Sequence, residues 1–162
     1  MISISSPISV VGNVVQEVNA YFNVKLTGTT PMIWDDTPPQ QTEGDEYMTL
    51  AITPKSATNK LKIEVIVRLS HTAGQTNLIA ALFKDAAAQA LDTGWTRNEV
   101  ANFPRTIILL WHMPAGTTSE IIFKVRAGGT TGATLTFGGV NDTRFFQGTL
   151  AGTITITETK AN

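Results

Sequence analysis

The chain has 162 residues and a mass of 17.4 kDa, the size of one domain, with thirteen acidic residues, twelve basic residues and a net charge of −1. Charged residues are 15% of the chain, against about 25% in an ordinary soluble domain, and threonine takes up much of the deficit. There is no basic excess to neutralise phosphates, no apolar run near the roughly 20 residues of a membrane helix, and no cysteine for disulfides, thiol catalysis or zinc.

Strand signals follow one another along the chain. Residues 1–15 place no Lys or Arg before their apolar residues and do not read as a secretory leader. Strands are predicted over 10–18 and 20–26. Pro31, Pro38 and Pro39 make 29–44 irregular. Asp35, Asp36 and Glu43 lie in this segment, and Asp45 and Glu46 follow it directly; Ca²⁺ takes such oxygen ligands, but the spacing is not that of an EF-hand loop, and the cluster reads as a solvated acidic loop. Trp34, beside two aspartates, reads either as an exposed recognition group or as a cap on the core.

A strand over 46–52 precedes the clearest alternation, at 60–70. Leu61, Ile63, Val65, Val67 and Leu69 share one face there, and Lys62, Glu64, Ile66, Arg68 and Ser70 the other. After a strand at 77–84, the Ala-rich stretch 85–91 has helix propensity, yet it is too short to stand alone as a helix and fits a hairpin connection better. Further strands are predicted at 105–113, 119–126, 133–137 and 152–158, with turn chemistry at 53–59, 114–118, 128–132 and 138–142. About nine strands, no alternating βα pattern and no heptad repeat specify an all-β fold, an antiparallel jelly-roll-like β-sandwich.

Residues 107–111 (Ile-Ile-Leu-Leu-Trp) are apolar at both parities. In an antiparallel sandwich one strand face meets the core and the other normally meets water. With Ile107, Leu109 and Trp111 inward, Ile108, Leu110 and His112 point outward, and with Ile66 and Ile122 they are expected to form an oligomer interface. The competing expectation is that an N-terminal strand or loop of the same chain covers this face.

No catalytic motif is present. His71 and His112 lie far apart, with neither a Gly-x-Ser-x-Gly elbow nor a His-Glu-x-x-His helix. No enzyme activity, metal or other cofactor is expected. Trp95, Arg97, Asn98, Asn102 and Phe103 fall between predicted strands and form a candidate ligand-binding loop. Aromatic faces stack on sugar rings, and Arg and Asn supply planar hydrogen bonding.

Residues 36–48 (Asp-Thr-Pro-Pro-Gln-Gln-Thr-Glu-Gly-Asp-Glu-Tyr-Met) run directly into 49–61 (Thr-Leu-Ala-Ile-Thr-Pro-Lys-Ser-Ala-Thr-Asn-Lys-Leu). With 79–85, 115–119, 123–128 and 152–158, these segments resemble a family of tailed-bacteriophage virion proteins, over roughly residues 34–158. The resemblance implies a homotrimeric, non-enzymatic sandwich head on the phage particle surface, made in the bacterial host cytoplasm. Its partners would be other virion proteins of tail, baseplate or capsid and a bacterial surface glycan or protein, with no nucleic acid and no membrane insertion. Two roles fit: the knob of a tail fibre or spike that binds the host surface through its loops, or a capsid cement protein. The chain is then divided into an N-terminal docking arm at 1–33 and a head at 34–162. Ile2, Ile4, Ile8 and Val10 are the arm residues that would add a strand to a partner.

Overall fold

The alternating runs become two antiparallel sheets in the computed structural model, which describes residues 13–161. In chain order the elements are β1 (Val14–Phe22), β2 (Leu26–Gly28), β3 (Asp45–Ile52), β4 (Lys60–His71), β5 (Thr76–Lys84) and β6 (Asp92–Asn98). They continue with β7 (Arg105–Pro114), β8 (Ile121–Gly129), β9 (Leu135–Phe137), the short hairpin β10 (Gly139–Val140) and β11 (Thr143–Arg144), and β12 (Gly152–Thr159).

The six-stranded sheet is built around β4, which carries β7 along one edge and β12 and then β9 along the other; β1 lies outside β12, and β2 outside β9. The four-stranded sheet has the order β3-β8-β5-β6. Between the sheets, Leu61, Ile63, Val65, Val67 and Leu69 of β4 meet Phe123 and Val125 of β8 and Leu78 and Leu82 of β5, all fully buried. Tyr47 stacks on Phe137 with ring centroids 5.4 Å apart. Alternation drives this arrangement: each inward residue adds apolar contact while its neighbours stay solvated.

One strand of the four-stranded sheet is covered twice. Leu78, Ala80 and Leu82 of β5 face the core, and Ile79, Ala81 and Phe83 face outward, yet all six are buried. The cover for the outer three is the 29–44 segment with Ala90, which together place Met32 on Ile79 and Phe83. Backbone bonds pin the segment: Met32 N–H donates to Gly129 O at 3.0 Å, and Ala90 N–H to Pro39 O at 3.0 Å. The acidic residues hold it from within. Glu43 accepts from Ile33 N–H at 2.9 Å and from Gln40 N–H at 3.1 Å, and Asp45 accepts from Thr30 N–H and Oγ1. Glu43 and Asp45 are therefore loop staples rather than solvated charges.

Three expectations change. Within the described residues the predicted strands at 10–18 and 20–26 merge into one strand, β1, paired antiparallel with β12 with a register shift between Val14 and Gln16, followed by the short β2. Residues 14–28 thus belong to the sandwich, so a division at residue 33 does not separate arm from head; Ile2, Ile4, Ile8 and Val10 lie outside the described residues. The segment around Trp95 is a strand, β6, paired with β5 from Asp92↔Leu82 to Asn98↔Thr76. Its turn-like Asp92-Thr93-Gly94 disguises it. Gly94 is required by packing, because a Cβ there would stand 2.7 Å from Ile107 Cγ2 on the opposing sheet. The Ala-rich stretch forms the hairpin connection between β5 and β6, closed by Leu91 N–H on Leu82 O at 2.7 Å.

At one end of β12 a buried carboxylate organises the 53–59 turn. Glu158 accepts from Lys55 N–H at 2.9 Å, Ser56 N–H at 3.3 Å, Asn59 Nδ2 at 2.6 Å and Gln16 Nε2 at 2.6 Å. Burial alone would raise its pKa; the donated hydrogen bonds from Asn59, Gln16, Lys55 and Ser56 outweigh it and hold the group below the ordinary value of 4.5. The charged form stabilises the fold above that value, and the contribution is lost as pH falls through the lower folded pKa. Glu158→Ala should cost about 2–4 kcal/mol at neutral pH, since it leaves several buried donors unmet. Urea unfolding should show that penalty shrinking below pH 4.5.

Candidate functional site

Two surfaces on opposite sides of the sandwich stand out. The first is the outer face of the six-stranded sheet. Pairing of β4 with β7 sets Ile66 against Ile108, Glu64 against Leu110 and Lys62 against His112. Pairing of β4 with β12 places Thr153 beside Ile66 and Thr155 beside Glu64. Ile66, Ile108 and Leu110 line a shallow hollow with Glu64, Thr153 and Thr155. Ile108 is 69% exposed and Leu110 52%, while their strand neighbours Ile107 and Leu109 are buried in the core. Trp111 also faces inward and packs on the core. No described residue of the chain lies over Ile108 or Leu110 in the way that Met32 lies over β5.

Ile122 does not join this surface. It sits on β8 in the other sheet, paired with Ala51, and its N–H donates to Asp85 Oδ1 at 2.8 Å. The two sheets share the alternation but present opposite outer faces, so Ile66 and Ile122, alike in sequence pattern, end on opposite sides. Four of the five interface candidates, Ile66, Ile108, Leu110 and His112, do lie together.

The strand β7 is the edge of its sheet, and its outward N–H groups are open to other acceptors. One is taken by the opposing sheet: Leu110 N–H donates to Asp92 Oδ2 at 2.9 Å. This bond closes the sandwich on the β6–β7 side and fixes the outward direction of Leu110.

The second surface is the outer face of β6. Trp95 and Arg97 alternate there, exposed, opposite Ile79 and Asn77 of β5. The other members of the predicted loop are elsewhere. Asn98 faces inward, fully buried, with Nδ2 donating to Ala73 O at 2.8 Å. Asn102 turns the chain with φ 61°, and its N–H donates to His71 O at 2.7 Å. Phe103 is exposed, with the Arg105 guanidinium 4.8 Å from its ring centroid. Arg97 is engaged by Glu99, Asn77 and Gln75 at 3.2–3.3 Å. What the five-residue grouping lacks is Trp34. The folded 29–44 segment carries it to Trp95, with ring centroids 4.8 Å apart and the planes at 71°.

His71 is not part of either surface. It closes β4, fully buried, and Ala73 N–H donates to its Nδ1 at 3.2 Å. Gly129 packs flush against the ring, with no room for a side chain. Among the described residues no group of three His, Asp or Glu side chains is placed to hold a metal ion.

No protein-family model and no curated protein sequence matches the chain. Solved structures do. The Eiger TNF from S. frugiperda matches with a TM-score of 0.50 at 9% identity, over 90% of this chain and 95% of that one. The Gx strain structure of infectious bursal disease virus matches with a TM-score of 0.44 at 11% identity, over 92% of this chain and 33% of that one. The VP2 subviral particle of the same virus matches with a TM-score of 0.39 at 10% identity, over 92% and 39%. The likeness is one of fold: the chain is an all-β, antiparallel, jelly-roll-like sandwich.

Burial holds the His71 pKa below its ordinary 6.5, since the charged ring would have to leave water. The neutral ring therefore supports the fold above pH 6.5, and that support is lost as pH falls through the lower folded value. A two-dimensional NMR titration should show the His71 ring signals moving only below pH 6.5.

Proposed function

We propose that the protein is a non-enzymatic structural component of a viral particle, a homotrimeric knob whose copies meet through the outer face of the six-stranded sheet and whose opposite face recognises a cell surface. The observation that carries this reading is the contrast between two strands. Both β5 and β7 are apolar on each side. The chain spends the 29–44 segment on covering β5, and among the described residues it supplies nothing of the kind for β7.

The outer face of β7 has the makings of an interface. Ile108, Leu110 and Ile66 form its apolar centre, and the rim is polar, with Lys62 bound to Glu64 at 2.8 Å and with Thr153 and Thr155. Withdrawing such aliphatic side chains from water contributes about 1.5–3 kcal/mol each. A closed ring of copies shields every such face at once, which two-sided apolar strands require and an open chain of contacts does not achieve. The trimer and the particle come from the resemblance of residues 34–158 to phage virion proteins, and the jelly-roll-like sandwich is compatible with both. Recognition falls to the far side because that is where the described chain exposes two indoles together.

The test is the double variant Ile108→Asp, Leu110→Asp. Both side chains are more than half exposed in the single chain, so the substitution spares the core. Light scattering should show the assembly falling to a 17.4 kDa species with unchanged circular dichroism. An assembly of unchanged mass would overturn the proposed interface.

A further inference from the structure

The paired indoles of the proposed recognition face lie in a groove whose lining indicates a class of ligand. Trp34 is 53% exposed and Trp95 56%, although large aromatics in contact are usually buried together. Their near-perpendicular rings form a corner, one indole offering its face and the other its edge. Pro39 and Ile79 make the apolar floor, and Thr37 and Thr93 the hydroxyl rim. A second hollow continues from the same rim, sharing Asp35, Thr37, Pro39 and Thr93 and ending at Asp92 and Leu91. Together they form one extended groove, aromatic at one end and acidic along its side.

From this geometry we infer that the groove between the 29–44 segment and β6 binds a neutral or amino-sugar oligosaccharide, with one sugar ring seated in the Trp34–Trp95 corner. The inference rests on the recognition half of the proposed function and supplies its ligand class. A hexopyranose ring is amphipathic in the same way as the groove. Its C–H face packs on an aromatic face, and its ring of hydroxyls needs donors and acceptors at the edge. Carboxylates accept from neighbouring sugar hydroxyls, and here Asp35, Asp36 and Asp92 flank the groove. Asp35 is held below the ordinary carboxylate range by the Thr37 hydroxyl and then the Thr37 N–H, so it remains an acceptor.

Charge decides against anionic ligands. No Lys or Arg lines either hollow, so a sialylated, sulfated or phosphorylated glycan would meet three carboxylates without a counter-charge. Arg97, the nearest cation along β6, is already bound to Glu99, Asn77 and Gln75. The site is also preformed. Glu43 and the backbone bonds of Met32 and Ala90 fix the segment that carries Trp34, and β5 fixes Trp95, so little ordering cost attends binding.

The experiment is a printed array of neutral, N-acetylated, free-amine, sialylated and sulfated oligosaccharides probed with the full chain, followed by tryptophan-fluorescence titration with each neutral or amino-sugar glycan that binds. Binding to at least one neutral or amino-sugar glycan is expected, with a change in indole emission. Trp34→Ala and Trp95→Ala should each weaken it by about tenfold or more, while Phe103→Ala leaves it unchanged. Both indoles are surface groups, and circular dichroism checks that each variant is folded. The inference is overturned by binding confined to acidic glycans, by neutral or amino-sugar binding that survives both tryptophan substitutions, or by no neutral or amino-sugar binding at millimolar glycan. The Ile108→Asp, Leu110→Asp variant separates the two readings: its mass reports on the interface, and its fluorescence titration reports on the groove in the single chain.

Discussion

A strand with apolar side chains on both faces is stable only where each face is kept from water, and this sandwich contains two of them. In β5 the requirement is met within the chain. Six consecutive residues, from Leu78 to Phe83, are buried because the core lies on one side and Met32 with Ala90 on the other. In β7 only the inner side is covered: Ile107 and Leu109 are buried, and Ile108 and Leu110 stand 69% and 52% exposed. Among the described residues, the same physical demand is met by a folded-over loop in one place and left without cover in the other. The proposed assembly follows from that difference.

The loop that covers β5 also builds the groove, so packing and the proposed recognition site are tied together. Glu43 gathers two backbone donors, Asp45 fixes Thr30, and Gly128 lets the segment pass close, since a Cβ there would stand 2.7 Å from Thr30 O. With the path of the chain fixed at both ends, Trp34 has a defined place beside Trp95. Glu158 performs the corresponding task at the opposite edge, where one carboxylate joins β1, β12 and the 53–59 turn. A buried carboxylate contributes most when fully provided with donors, and at Glu158, where the donors hold the pKa low, that contribution is lost on acidification.

Much of this was legible in period-two alternation. Residues 61–69 and 121–125 announce their buried faces, and the two-sided run at 107–111 announces a second face in need of cover, which no described residue of the chain supplies. The equally two-sided run at 78–83 carries the same signal, but alternation alone does not say that 29–44 will cover it. Strand β6 escaped because edge strands need only one hydrogen-bonded neighbour and tolerate Asp, Thr and Gly, residues otherwise typical of turns. Ile122 was grouped with Ile66 because parity tells which residues share a strand face and not which sheet the strand joins. The Trp34–Trp95 corner joins residues 61 positions apart in sequence, and only the folded path of a proline-rich segment brings them together.

Sedimentation velocity of the unmodified chain over a dilution series tests the covered-face requirement most directly. A species of three 17.4 kDa copies, persisting through micromolar dilution, is the predicted result. A 17.4 kDa species alone at every concentration would contradict it, because the outer face of β7 would then be stable in contact with water or covered by its own chain.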